Sequence, residues 1–154
     1  MPEQRRGAGR SGIVLGIDFG KRRIGLATGN LLTGTARPLD TISHSGEPFG
    51  QLELVFKEWK PACIIVGLPL AQDGTESDMS RATRQFAARL QLRFPDTTLK
   101  FQDERFSSRA AESQFAQARR DGHARRRDAR NLDSIAAAVI LESWLAAQMQ
   151  QVSH

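Results

Sequence analysis

The sequence predicts an α/β fold: a mixed five-stranded sheet, three antiparallel strands followed by parallel ones, flanked by helices. Three observations carry that expectation. Two apolar runs, IVLGIDFG (13–20) and RIGLATGN (23–30), are separated by a Gly/Lys/Arg turn and read as a hairpin. ACIIVG (62–67) is a continuous apolar run, the pattern of a strand buried on both faces. Between and beyond these, stretches of helical period alternate with short strands, which gives a sheet covered by helices.

The remaining elements follow in order. A third strand is expected around Thr35–Ile42. Gly46, Glu47 and Pro48 open a helix that carries Phe49, Leu52, Val55, Phe56 and Trp59 at helical spacing, and proline is well tolerated at a helix start. The loop LPLAQDGTESD leads to a second helix with Met79, Ala82, Phe86, Leu90 and Phe94 on one stripe. Thr98–Gln102 reads as a short strand, followed at once by Asp103, Glu104 and Arg105. Ser107 or Ser108 can cap a helix running to about Arg120. A basic loop comes next, and Asn131 can cap a last helix, LDSIAAAVILESWLAAQMQ. That helix is apolar around most of its circumference and should lie buried against the sheet. The order β-β-β-α-β-α-β-α-α is that of the ribonuclease H-like fold. Residues 1–12 are expected to be a disordered basic lead-in, and residues 13–150 a single domain.

Bulk properties narrow the function classes. At 154 residues the chain has the length of one domain able to bury a core. Its 40% hydrophobic and 25% charged content argues against wholesale disorder. No apolar stretch approaches the roughly 18 residues a membrane helix needs, and the N-terminus lacks a secretory apolar segment. One cysteine, Cys63, leaves no internal disulfide and no thiol cluster, so a cytoplasmic location is expected. Lys and Arg total 22, of which only Lys21, Lys57, Lys60 and Lys100 are Lys, and the net charge is +5. That balance favours a polyanionic partner, and the planar arginine fork suits phosphate.

Three acids stand out by position. Asp18 ends an apolar strand and shares a face with Val14 and Gly16 on a period of two. Glu104 follows a strand expected to lie parallel to the first. Asp133 sits in the first turn of the otherwise apolar last helix. If the fold brings them to one sheet edge, their repulsion calls for a counter-ion. Oxygen-only ligands suit Mg²⁺ or Mn²⁺, and two such ions roughly 4 Å apart can promote phosphodiester hydrolysis. Taken singly, a strand-end Asp is often a turn former, and Asp133 could merely favour a helix N-terminus. Spacing alone does not bring them together.

Five blocks carry a resemblance: IDFGKRRIGLA (17–27), TGTARPL (33–39), IIVGLPL with DGTES (64–77), DERFSS (103–108) and LDSIAAAVILESWL (132–145). In that order and at that spacing they resemble the YqgF (RuvX) family over residues 13 to about 146. The resemblance implies a RuvC-like fold and a nuclease that processes the 5′ end of precursor 16S ribosomal RNA. Other members of the family are assigned Holliday-junction resolution. It further implies that Asp18, Glu104 and Asp133 are the catalytic, metal-binding carboxylates of a two-metal site. Gly20, Ser134 and Ala136 match small positions beside the acids, and Phe106 stands where Leu is commoner.

The surroundings are basic. Lys21, Arg22 and Arg23 flank the turn beside Asp18, and one of them could hold a phosphate. Arg119, Arg120, Arg125, Arg126, Arg127 and Arg130 crowd the segment before Asp133 and are expected to contact nucleic-acid backbone, which gives affinity without sequence choice. Gly16 and Gly25 permit close approach of a strand or a ligand, or are simple packing glycines. His44, His123 and His154 show no ligand spacing. Cys63 reads as a core residue, and Ser107 and Ser108 as caps.

Three functions compete: a nuclease on precursor rRNA, a resolvase of branched DNA, and a non-catalytic RNA-binding assembly factor. IDFGKRRIGLA also resembles the first phosphate loop of actin-like ATPases, but one lobe of this size cannot build their interlobe cleft. A protein-kinase DFG reading lacks the accompanying catalytic loop and lysine. A monomer or weak dimer is expected; symmetric cutting of a junction would favour the dimer.

Overall fold

A computed structural model describes residues 12–104 and 129–152 of the chain. The elements are β1 (Ile13–Phe19), β2 (Arg23–Asn30), β3 (Thr35–Ser43), α1 (Phe49–Trp59), β4 (Cys63–Leu68), α2 (Asp78–Arg93), β5 (Thr98–Asp103) and α3 (Ala129–Val152). The strands form one sheet in the order β3-β2-β1-β4-β5. β1 and β2 pair antiparallel, as do β2 and β3, whereas β4 and β5 extend the sheet in parallel. This is the predicted mixed sheet. The lead-in up to residue 11, the helix expected from Ser107 or Ser108 to Arg120 and the basic loop after it up to residue 128 lie outside the described residues.

Alternation along β1 divides the core into two layers. Leu15 and Ile17 face α1 and α2, packing with Leu52, Phe56, Phe86 and Leu90. Val14 faces the other side, where Ala137, Leu141, Trp144 and Leu145 of α3 join Ala27 and Ile65. Each fully buried aliphatic side chain contributes about 1.5–3 kcal/mol, so α3 is held chiefly by this face.

Local chemistry sets the ends of the helices. Lys60 adopts a left-handed conformation (φ 46°) at the end of α1, where its N–H closes on the Phe56 carbonyl, and Pro61 follows. Ser77 and Ser80 form a reciprocal cap at the start of α2. The buried stripe of α2 is Ser80, Thr83, Phe86, Ala87 and Leu90, rotated slightly from the one expected; Met79, Ala82 and Phe94 lie at its margin. β3 is an outer strand, and its pairing with β2 slips between Leu26 and Ala27, leaving Leu39 as the extra residue beside Pro38.

Three expectations for the last helix need correction. It begins at Ala129, so Asn131 lies inside it rather than capping it, and Asp133 falls beyond its first four residues. Its stretch Leu132–Met149 is also long and apolar enough to cross a membrane by length and composition, although no such stretch was expected. Here those apolar residues cover the sheet as a core helix, against β1, β2 and β3.

Candidate active site

The site starts from two glycines that flank Asp18. Gly25 pairs with Asp18 across the β1–β2 ladder. In the β1–β4 register Ile17 lies beside Val66, so Gly67, the next residue, stands level with Asp18 on the other side. A side chain on Gly25 would collide with the Asp133 carbonyl, and one on Gly67 would come within 2.8 Å of the Glu104 Oε2. The missing Cβ atoms are therefore the space through which α3 and the end of β5 bring their acids towards Asp18. Of the two readings open for Gly25, the packing glycine is the one observed: the group pressed against it is the backbone of α3, neither a strand nor a ligand. Gly16 does the same lower down, where a Cβ would press on Leu141 and on the Ala137 carbonyl.

Asp18 lies close enough to Glu104 and Asp133 to feel the charge of both. The Asp18 carboxyl is pushed up to about 7, first by burial and then by the negative charges of Glu104 and Asp133. Glu104 is also raised, by burial and by neighbouring Asp103. Such a cluster favours a cation, and its all-oxygen donors suit a hard one. Among the described residues, however, no three His, Cys, Asp or Glu side chains converge closely enough to hold one ion together. Asp133 is turned to a protein cation instead: Arg23 Nε donates to its Oδ2 at 2.6 Å, in a partly exposed pair.

The turn between β1 and β2 brings up the cations. Lys21, Arg22 and Arg23 are all exposed. A Cβ on Gly20 would sit 2.6 Å from the Arg23 carbonyl, so the tightness of the turn requires glycine there. His44, given no role by its sequence spacing, braces this turn. Its backbone N–H donates to the Arg22 carbonyl at 2.9 Å. Its Nδ1 accepts from the Gly46 N–H at 2.9 Å, which leaves Nε2–H to donate to the Gly20 carbonyl, also at 2.9 Å. Only spatial neighbours reveal this, since Gly20 lies 24 residues away.

Other candidates resolve as structural. In DGTES, Asp73 accepts from the backbone and hydroxyl of Thr75, Glu76 pairs with Arg84, and Ser77 caps α2. Cys63 is buried in β4, and burial pushes its thiol up. Its alkylation in the folded protein should run at least about tenfold slower than in urea-unfolded chain at the same pH; equal rates would contradict this burial. Arg119, Arg120, Arg125, Arg126 and Arg127 lie outside the described residues. Of Arg130 only the backbone, in the first turn of α3, is described.

A family model described as RuvX, Holliday junction resolvase, matches residues 12–147. The chain belongs to the RuvX family. Relatives include a Nitrosospira multiformis protein, 43% identical over 87% of both chains, and one from Xylella fastidiosa, 44% identical over 92% of both. An Azotobacter vinelandii relative is 42% identical over 87% of this chain and 93% of its own. Each carries the name "Putative pre-16S rRNA nuclease". Among solved structures, Thermus thermophilus RuvC in complex with a Holliday junction substrate matches with TM-score 0.58 at 18% identity, over 89% of this chain and 95% of that one. The yeast mitochondrial Holliday junction resolvase Ydc2 matches with TM-score 0.54 at 10% identity, over the whole of this chain and 88% of its own. These likenesses establish the ribonuclease H-like fold of this RuvX protein. Its family is one of nucleases, enzymes that hydrolyse phosphodiester bonds.

Proposed function

We propose that this RuvX protein is a metal-dependent nuclease that processes the 5′ end of precursor 16S rRNA in the cytoplasm. Asp18, Glu104 and Asp133 are its catalytic, metal-binding carboxylates in this reading. The observation that carries it is the half-buried Asp18 carboxyl, raised first by its burial and then by the charges of Glu104 and Asp133. When bound, a pair of Mg²⁺ or Mn²⁺ ions would supply charge neutralisation at the scissile phosphate and activation of water. The protein's part is to hold those ions and the strand. Asp18 and Glu104 present oxygens across Gly67, and Asp133 becomes available once Arg23 releases it. Arg23, with Lys21 and Arg22, then faces the backbone phosphates. Arg119, Arg120, Arg125, Arg126, Arg127 and Arg130 add further backbone contacts, and the protein acts as a monomer or weak dimer.

The names of the 42–44% identical relatives favour RNA. Branched DNA is the second reading, supported by the description of the matched family. The deciding experiment offers precursor 16S rRNA and a four-way DNA junction in parallel, with Mg²⁺, Mn²⁺ or EDTA, to wild type and Glu104→Gln. Cleavage of the rRNA by wild type alone, abolished by EDTA, is expected. Paired symmetric nicks in the junction alone would select the resolvase. Binding without cleavage under every metal would leave a non-catalytic assembly factor.

A further inference from the structure

Around the end of β1, on the face opposite the acids, a cavity of about 250 Å³ opens between the β1–β2 turn, the loop after β3 and α2. Phe19, next in the chain to Asp18, forms one wall. It stacks on Phe86 at 4.5 Å between ring centres and leans on His44 at 6.1 Å. Gln85 and Arg89 of α2 line the cavity as well. Lys21 and His44 are shared with an adjoining open cleft of about 630 Å³, which Arg22 and Arg23 also line. One continuous path therefore runs from the Arg23–Asp133 pair, over the cations of the turn, into an aromatic-walled hole.

We propose that this cavity takes a single unpaired base of the substrate strand, one or two nucleotides from the bond being cut. The inference rests on the nuclease reading and adds a strand-state preference to it. The cavity lies below the roughly 300–1,000 Å³ of sites that engulf drug-sized ligands, so it suits part of a polymer rather than a whole dinucleotide. Phe86 and Phe49 are buried behind Phe19 and stacked in series with it, so half-buried Phe19 supplies the aromatic surface for a base of any identity, and the exposed Gln85 amide can both donate to and accept from a base edge. Lys21 at the shared mouth, with Arg22 beyond it, meets the phosphates on either side. A base held in a duplex cannot enter without unpairing, so the cavity selects single-stranded RNA over paired arms.

The test uses full-length protein in EDTA, so that cleavage does not intervene, with a short single-stranded RNA in which 2-aminopurine is moved position by position. Wild type should change the fluorescence strongly at one position only. Gln85→Trp, an exposed replacement on α2 that fills the mouth, should abolish that signal and weaken single-strand binding about tenfold, while duplex binding stays unchanged. Gln85→Ala should keep the signal. An undiminished signal in Gln85→Trp, equal weakening for duplex and single strand, or no position-specific signal in wild type overturns the proposal. The two readings separate cleanly. A position-specific signal without Mg²⁺-dependent cleavage keeps the cavity and removes the nuclease, whereas cleavage untouched by Gln85→Trp with no signal does the reverse.

Discussion

Asp18→Asn is expected to lower metal-dependent cleavage at least about a thousandfold, because in the proposed two-metal site the Asp18 carboxylate would hold ions that supply several kcal/mol of transition-state stabilisation. The same change should raise stability in the absence of metal. The Asp18 carboxyl stands at about 7 in the folded chain against an ordinary 3.8. Between those values the folded state binds the proton more tightly than the unfolded state does. Stability therefore falls as pH rises through this window, by at most about 4 kcal/mol at about 1.4 kcal/mol per pH unit. Asn has no proton to lose, so that part of the pH dependence disappears. Urea unfolding in EDTA should rank the variant above wild type at about pH 8 and near it at about pH 4. A wild type that gains stability from pH 4 to 8 without metal would contradict the buried cluster. Added Mg²⁺ should offset the loss in wild type and do little for Asp18→Asn.

Gly25→Ala should be the most damaging single-methyl change in the sheet. The added carbon meets the backbone of Asp133, which cannot rotate aside as a side-chain tip can. Either α3 lifts from β2 or the β1–β2 ladder bends, at a cost of about 3 kcal/mol. Activity should fall with stability, since the shift carries the Asp133 carboxylate away from Asp18. Gly50→Ala supplies the contrast: Gly50 lies in α1 with nothing near its missing Cβ, and alanine there should stabilise by about 0.5–1 kcal/mol. Urea midpoints of the two variants decide the matter. A Gly25→Ala protein as stable as wild type would mean that α3 does not press on that glycine.

The sequence revealed the sheet because each strand has its own period. β1 and β4 are apolar on both faces, and the turn at Gly20–Arg23 breaks the run cleanly. It also singled out Asp18 and Asp133 as polar interruptions of apolar elements, and Glu104 as the acid just after a strand. Their approach to one another was less legible. It depends on Gly25 and Gly67 lying on either side of Asp18, a matter of inter-strand register that no local pattern encodes. The Arg23–Asp133 bond spans 110 residues and was hidden for the same reason. His44 escaped notice because its role is to hold backbone carbonyls, which leaves no motif. The start of α3 was misjudged because Asn131 has the chemistry of a cap, yet the helix continues through it for two more residues on the N-terminal side.

The irregularity in β3 bears on how copies of this protein could associate. A border strand invites a neighbour only if it offers an unbroken row of donors and acceptors. Proline at position 38 removes one donor, and the extra residue at 39 throws the following groups out of step. Continuation of the sheet from molecule to molecule is thereby hindered along this rim, so any pairing that symmetric junction cutting demands would have to be built elsewhere, from helices, loops or the opposite border strand, β5.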